Sequence, residues 1–319
     1  MKKILSILLV LLVAAGFVFA GGQGEKKKGE VTVGFSLWTM EFTFFQAVEK
    51  GVRDACKDLG YKYVMIDQNS KADKMVNDLN TLVGQKVTGI VVTPVDPGAI
   101  GPAVEKARKA GIPVVCADIG KTGPVNALLI SNNFKGGQMA MEFIAKQLEK
   151  KGMKGAKVGV GTVQPQWTYA RGRGDGFIAK AKELGYPVAS ELIVQNPTAE
   201  GGYDTMQQMM SAVPDLAAVF YCSGREAVGA ANAIKAADKD IIVVGYNGDP
   251  EEIQAMRDGI MAADIAQQPY NIGYESVKLL QKIFAGEKYE DAVVPVEVAL
   301  LTPDTIDQFQ KDYEAKMKR

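Results

Sequence analysis

The segment GIVVTPVDPGAIGPAVEKARKAGIPVVCAD, residues 89–118, contains two apolar runs that are separated by a longer amphipathic stretch. The two runs, Gly89–Thr93 and Pro113–Asp118, are almost continuous in apolar residues. Such strands are typical of parallel sheets that helices cover on both faces. The segment therefore predicts a strand, a helix and a second strand that lies parallel to the first.

The same alternation of short β-branched runs and amphipathic stretches continues along the chain, in two similar series that divide around Ser131–Phe134. Each series has enough strands for a core of its own. The sequence thus predicts an α/β protein with two Rossmann-like, doubly wound parallel-sheet lobes. The predicted strands are Val31–Ser36, Lys62–Ile66, Gly89–Thr93, Pro113–Asp118 and Ala127–Ser131, then Lys157–Thr162, Ala189–Val194, Ala217–Cys222, Ile241–Tyr246 and Met261–Ala266, with a late strand-like stretch at Val293–Leu300.

The composition excludes several classes of function. With 319 residues, the chain is long enough for about two domains, since single cores rarely grow beyond roughly 250–300 residues. It has 37 Lys+Arg and 37 Asp+Glu, and so it lacks the basic excess of a nucleic-acid-binding surface. It contains no histidine, which excludes a Ser-His-Asp or Cys-His nucleophilic centre and any histidine-based metal site.

The first twenty residues are typical of a secretory signal peptide. Two lysines precede the apolar run Ile4–Ala20, which ends in small residues, so cleavage is expected after Ala20. An uncleaved membrane anchor is the alternative, although the run is short for a membrane span. Residues 21–30 are interpreted as a flexible leader, and the mature protein is expected in the periplasm. A lipid anchor is not expected, because the first cysteine is Cys56.

The three cysteines are expected to be buried free thiols. Cys116 and Cys222 lie in apolar strand patterns, and Cys56 lies in a helical pattern. Free cysteines in such positions pack as small hydrophobic residues. A disulfide between two of them is the alternative that the sequence leaves open.

The residues that follow the predicted strands are rich in aromatic rings and in amide or carboxylate groups. Ligands of open α/β sheets bind beyond the carboxyl ends of the strands, so these residues are candidates for a binding site. Rings that pack on C–H surfaces, together with planar groups that bind hydroxyls, indicate a sugar or a polyol. The alternative is that the phenylalanines pack in the core and the polar groups cap helices. The set includes Trp38, Phe42, Phe44, Phe45, Trp167, Tyr169, Asn247 and Gln267.

Five segments together resemble the type I periplasmic sugar-binding proteins of ABC transporters, the ribose-binding group in particular. They are FFQAVEKGVRDACKDLGY, the segment 89–118, ARGRGDGF, VVGYNGDPE and DIAQQPYNIG. Their shared order and spacing extend the resemblance from about Val31 to Leu301. It implies two lobes joined by a three-strand hinge, with crossings near Ser131, Gln267 and Val294. The N-terminal lobe would comprise 31–131 and 268–293, and the C-terminal lobe 132–267 and 294–319.

The resemblance also implies roles for individual side chains. Phe44 and Phe45 would contact the sugar ring, and Asp118 would accept hydrogen bonds from hydroxyl groups. Arg171 would donate through its planar guanidinium, and the amides at the strand ends would exchange hydrogen bonds with the ligand. The full expected ligand-binding set is Trp38, Phe44, Phe45, Asp118, Trp167, Arg171, Ser223, Asn247 and Gln267.

Several positions depart from the pattern of the ribose-binding group. Ile119 stands where relatives often have arginine, and Ser223–Gly224 stands where an Asn-Asp pair is usual. Pro197 occupies an aromatic position, and the first loop, LWTMEFTFF, is longer and more aromatic. A pocket that loses an arginine and an acid while it gains rings suits a different monosaccharide, a polyol or a more apolar ring compound.

The predicted function is reversible capture of a small carbohydrate-like ligand by hinge closure and its delivery to an ABC transporter permease. The protein is expected to be a monomer and not an enzyme, without a cofactor or a metal and with no nucleic-acid partner. Presentation of the ligand to a chemoreceptor is the alternative. A nucleotide-dependent enzyme is disfavoured because the G-x-G of Gly159–Gly161 is followed by Gln164 where a third glycine is needed. A transcription regulator of this fold would need a helix-turn-helix, which the expected signal and leader do not supply.

Overall fold

The computed structural model describes residues 30–165 and 167–319. The predicted signal peptide, 1–20, and residues 21–29 of the predicted leader lie outside the described residues. All helices and strands of the described residues lie in one compact unit, Thr32–Arg319. The first sheet and its helices comprise β1 (Thr32–Leu37), α1 (Thr43–Leu59), β2 (Lys62–Asp67), α2 (Ala72–Gly84), β3 (Gly89–Val92), α3 (Gly101–Lys109), β4 (Val114–Ala117), β5 (Ala127–Ser131), α9 (Pro269–Phe284) and β11 (Ala292–Val296). The second sheet and its helices comprise α4 (Asn133–Lys150), β6 (Val158–Thr162), α5 (Thr168–Leu184), β7 (Val188–Ile193), α6 (Ala199–Ala212), β8 (Ala218–Tyr221), α7 (Gly224–Ala236), β9 (Ile242–Asn247), α8 (Pro250–Arg257), β10 (Ala263–Ala266), β12 (Ala299–Leu301) and α10 (Ile306–Lys318).

Parallel pairing dominates both sheets. The strand order is β11-β5-β4-β3-β1-β2 in the first sheet and β12-β10-β9-β8-β6-β7 in the second. Among the described pairings, the one between β10 and β12 is antiparallel. The predicted α/β fold of two doubly wound parallel sheets is confirmed.

Strand β8 shows why the strands are apolar throughout. Ala218 and Phe220 belong to one buried cluster, while Val219 and Tyr221 belong to another on the opposite face of the sheet. Side chains of a strand alternate between faces, so a sheet that is covered on both faces needs apolar residues at every position. The near-continuous apolar runs in the sequence are the direct consequence.

The chain passes between the two sheets three times. It leaves the first sheet after β5, returns after β10 through α9, which packs against α1, and leaves again after β11. The third crossing, predicted near Val294, lies a few residues later in the chain, because β11 pairs with β5 as far as Val296. The crossing lies at residues 297–298, and the predicted lobe limit between 293 and 294 falls inside β11.

The prediction of free, buried thiols is confirmed. Cys56, Cys116 and Cys222 are all free and buried. Burial raises the pKa of each thiol to about 12, so all three are protonated and unreactive near neutral pH. Among the helices of the described residues, none has the length and the apolar character that crossing a bilayer requires.

Glycines allow pairs of helices to approach closely. A Cβ at Gly137 of α4 would collide with the carbonyl oxygen of Arg173 on α5, and one at Gly176 of α5 would collide with the carbonyl oxygen of Phe134. Gly51 and Gly273 have the same role between α1 and α9. The contact at Gly137 therefore fixes the position of α5, the helix that carries Arg173.

We expect Gly137→Ala to lower the free energy of unfolding by about 1–3 kcal/mol, because the new methyl group forces α4 and α5 apart. Gly84→Ala is the matched control, since Gly84 ends α2 and a Cβ there meets nothing within 4 Å. Urea denaturation followed by circular dichroism measures both. Equal effects of the two substitutions would contradict the assigned role of Gly137.

Candidate functional site

A cavity of about 510 Å³ lies at the carboxyl ends of strands from both sheets. Trp38 follows β1 and Asp118 follows β4 of the first sheet, while Ser223 follows β8 and Asn247 ends β9 of the second. Parallel strands place their carboxyl ends along one edge of each sheet, which is why residues so distant in sequence meet here. Of the expected ligand-binding set, the residues that line the cavity are Trp38, Phe44, Phe45, Asp118, Trp167, Ser223, Asn247 and Gln267.

Arg171 does not line the cavity, contrary to the expectation from the sequence, whereas Arg173 does. The guanidinium of Arg171 lies 3.8 Å from carboxylate oxygens of Asp175 and Glu191. Both arginines lie on α5, where residues two positions apart are rotated by about 200° and so point in opposite directions. Arg173 is 4% exposed and shares the buried face of the helix with Phe177. Arg173 precedes Phe177 by four residues, about one helical turn, and this spacing in the sequence distinguishes it from Arg171.

The guanidinium of Arg173 is held by contacts on three sides. Its Nε donates to Asn133 Oδ1 at 2.8 Å. Its Nη1 donates to the carbonyl oxygen of Cys222 at 2.9 Å and to Asn247 Oδ1 at 3.4 Å. Its central carbon lies 3.8 Å from the ring centroid of Tyr246, a cation–π contact. A planar donor fixed in this way meets a ligand without first losing rotamer freedom.

A chain of amide contacts connects the two sheets at the back of the cavity. Ser131 Oγ, at the end of β5, donates to Gln267 Oε1 at 2.7 Å. Gln267 Nε2 in turn donates to Asn247 Oδ1 at 2.9 Å. Asn247 has a φ of 138°, a region that residues other than glycine rarely adopt. Such strain persists where surrounding contacts fix the backbone, and here it turns the Asn247 side chain into the cavity.

Asp118 is a buried acid of the first lobe that lines the cavity. It is 6% exposed, and burial raises the pKa of its carboxyl to about 6, while the charge of Arg173 acts in the opposite direction. Asp118 and Ile119 both have a φ of 61°, so the chain turns sharply after β4 and the carboxyl lies at the cavity wall. The acid of one lobe thus interacts electrostatically with the cation of the other.

The aromatic wall of the first lobe is built around Phe45. Its ring centroid lies 5.1 Å from that of Trp38, 5.2 Å from that of Phe44 and 6.4 Å from that of Phe42. Phe45 is buried, whereas Phe42 is 42% exposed. Phe45 is therefore a core residue that also lines the cavity, where it supports the rings in front of it. Trp167 and Tyr169 of the second lobe also line the cavity.

The longer first loop is fixed by the neighbouring strand and helix. The backbone N–H of Met40 donates to Asp67 Oδ2 at 3.0 Å, and Gln46 Nε2 donates to the Met40 carbonyl oxygen at 2.8 Å. Trp38 Nε1 donates to Ser70 Oγ at 3.2 Å. These contacts hold the ring of Trp38 in place, so the loop adds a rigid aromatic surface to the site.

Sequence reasoning missed several cavity residues besides Arg173. The expected ligand-binding set contains Ser223 and Asn247 but not the residues that closely follow them. Arg225, Glu226 and Asp249 also line the cavity, and Glu226 is buried. Within the described residues, no group of three or more His, Cys, Asp or Glu side chains is arranged to hold a metal ion.

Comparison with known proteins gives consistent results. Residues 33–288 match the family described as periplasmic binding protein domain. The chain is 33% identical over 301 residues to the ribose import binding protein of Bacillus subtilis, covering 92% of this chain and 97% of that protein. A periplasmic ribose ABC transporter structure from Conexibacter woesei has a TM-score of 0.82 at 20% identity, covering 89% of this chain and 95% of that one. A solute-binding protein from Bacillus halodurans with bound myo-inositol has a TM-score of 0.73 at 20% identity, covering 90% and 100%.

We expect Arg173→Gln to raise the pKa of Asp118 further above about 6, because the substitution removes the positive charge that opposes the effect of burial. Arg171→Gln is the matched control and should leave this pKa unchanged. Titration of the Asp118 side-chain carboxyl by ¹³C NMR measures both. An equal shift in the two variants would show that the two arginines act on Asp118 alike.

Proposed function

Because the chain belongs to the periplasmic binding protein family, we propose that it captures a small carbohydrate-like ligand between its two lobes and delivers it to an ABC transporter permease. The similar protein of Bacillus subtilis is a ribose import binding protein. The cysteine of the described cavity, Cys222, is a buried protonated thiol, and the chain contains no histidine that could serve as its base. Binding without chemical conversion is the function that this set of side chains supports.

The observation that carries the proposal is the division of the cavity between the lobes. The first lobe supplies the rings of Trp38 and Phe44 and the carboxyl of Asp118. The second lobe supplies the guanidinium of Arg173 and the amide of Asn247. A ring compound with several hydroxyls can stack on the first set while it exchanges hydrogen bonds with both. Such a ligand bridges the two lobes and favours their closed arrangement.

The chemical class of the ligand is a monosaccharide or a polyol. The departures at Ile119 and at Ser223–Gly224 remove charged groups that the ribose-binding group often has, and the first loop adds aromatic surface. Ribose itself is therefore a weaker match than a sugar or cyclitol with a larger apolar face. We also propose that the mature protein acts in the periplasm, after cleavage near Ala20.

A thermal-shift screen of the mature protein tests the ligand class. At least one member of a panel with D-ribose, D-arabinose, myo-inositol and common hexoses should raise the unfolding temperature, because a ligand that binds only the folded state stabilises it by mass action. A chemically unrelated panel of amino acids and nucleosides is the control. No shift with any sugar or polyol would contradict the proposal.

With the panel member that gives the largest shift, Arg173→Ala should weaken binding by about 10-fold to 150-fold, as expected for loss of a charge-assisted hydrogen bond worth roughly 1.5–3 kcal/mol. Arg171→Ala is the matched control and should bind like the wild type. Isothermal titration calorimetry measures both, after circular dichroism has verified folding. If Arg171→Ala weakened binding more than Arg173→Ala, the assignment of the donor would be reversed.

A further inference from the structure

Two carboxyl groups are fully buried in the second lobe, behind the cavity. Glu252 lies on α8 and Asp264 on β10, and both are 0% exposed. Within the described residues, none of their four carboxyl oxygens makes a hydrogen bond of good geometry. Burying an ionised carboxylate without a partner is very costly, so at least one of the two groups is expected to be neutral in the folded protein.

The fold leaves space for these two groups by means of two glycines. A Cβ at Gly224, the first residue of α7, would collide with the carboxyl of Glu252. A Cβ at Gly245 of β9 would lie 2.6 Å from Asp264 Oδ2. Gly245 is also the residue that pairs with Asp264 across the sheet. The two acids thus occupy places that a side chain on the neighbouring elements would otherwise fill.

The charged groups around the pair favour its protonated form. Burial is the main cause that raises the pKa of both carboxyls, and the charge of Asp249, at the start of α8, raises both further. Arg173 on α5 partly offsets this effect for Asp264. On the adjoining elements, beside the effect of burial, the charge of Glu251 raises the pKa of Asp249 and that of Arg225 lowers it. Arg173 and Arg225 lower the pKa of Glu226 on α7, and Asp264 raises the pKa of Tyr246 on β9.

The pair lies directly beneath a wall of the cavity. The backbone N–H groups of Asn247 and Gly248 lie close enough to Asp264 to lower its pKa slightly, although neither makes a hydrogen bond of good geometry. A Cβ at Gly248 would lie 2.6 Å from Ala266 Cβ, so the turn 247–249 packs tightly on β10. Asn247 and Asp249 of this turn line the cavity.

We propose that Glu252 and Asp264 are positioning residues of the binding site, whose uncharged, protonated form lets the turn 247–249 keep the arrangement that lines the cavity. Release of protons to solvent would leave Glu252, Asp264 and Asp249 as adjacent negative charges. Their repulsion would displace the turn and with it the amide of Asn247. The proposal rests on the proposed function only in that a sugar or polyol binds this cavity.

The first test concerns stability and needs no ligand. Carboxyls whose pKa is raised by folding bind protons more tightly in the folded state, so stability is full below their ordinary range near pH 4 and is lost as pH rises through the raised values. For each proton that only the folded state binds, the unfolding constant rises about tenfold per pH unit between the ordinary and the raised pKa. The unfolding constant of the wild type, measured in urea from pH 5 to 9, should rise accordingly. In Glu252→Gln/Asp264→Asn the rise should be smaller by about tenfold per pH unit for each proton removed.

The matched control is Glu290→Gln/Asp304→Asn, which removes the same two charges from exposed positions and should follow the wild type. An unchanged pH slope in Glu252→Gln/Asp264→Asn would overturn the proposal. Should that variant not fold, Asp264→Asn alone is measured, and its slope must likewise be lower than that of the wild type.

The second test concerns ligand affinity between pH 7 and 9, where Asp118, with its pKa of about 6, is already ionised. The wild-type Kd for the best sugar or polyol of the screen should rise by about fivefold or more, whereas that of Glu252→Gln/Asp264→Asn should change less. Equal pH profiles would assign the pair a purely structural role and overturn its positioning role. If no sugar or polyol binds the wild type at any pH, the proposed function fails while the stability test still decides whether the pair is protonated.

Discussion

The buried guanidinium of Arg173 is the interaction on which the site depends. It joins α4 through Asn133, the end of β8 through the Cys222 carbonyl, and the end of β9 through Asn247. A buried cation needs several acceptors to offset its desolvation, and these acceptors come from three different elements. Satisfying this one charge therefore fixes the relative positions of the segments that form the second-lobe wall of the cavity.

Side-chain contacts connect the two lobes at several places. Gln267 accepts from Ser131 of the first sheet and donates to Asn247 of the second. The C-terminal helix α10 forms a second link: Asp307 near its start pairs with Arg257 at 2.7 Å, and Arg319 pairs with Asp58 of α1 at 2.6 Å. The pair at Arg319 is partly exposed, and exposed ion pairs contribute little stability. It therefore connects the two lobes less firmly than the buried amide chain does.

The second lobe contains buried carboxyl groups that its hydrogen bonds do not fully satisfy. Glu226, Glu252 and Asp264 all have carboxyl oxygens without a hydrogen bond within the described residues, and burial is the main cause that raises the pKa of each. Natural cores rarely retain such groups without a role, since replacing them by apolar residues is often neutral or stabilising. Their position next to the residues that contact the cavity connects the electrostatics of the core with the geometry of the site.

The amino-acid sequence by itself determined the α/β alternation, the two parallel sheets, the buried thiols and eight of the nine expected site residues that line the cavity. It could do so because strand patterning and strand ends are local properties, and parallel topology brings the strand ends together. The choice between Arg171 and Arg173 depended on which face of α5 is buried, and the true third crossing depended on how far β11 pairs with β5. Only the tertiary structure decided these points, together with the partnerless state of Glu252 and Asp264, because each depends on neighbours from distant parts of the chain.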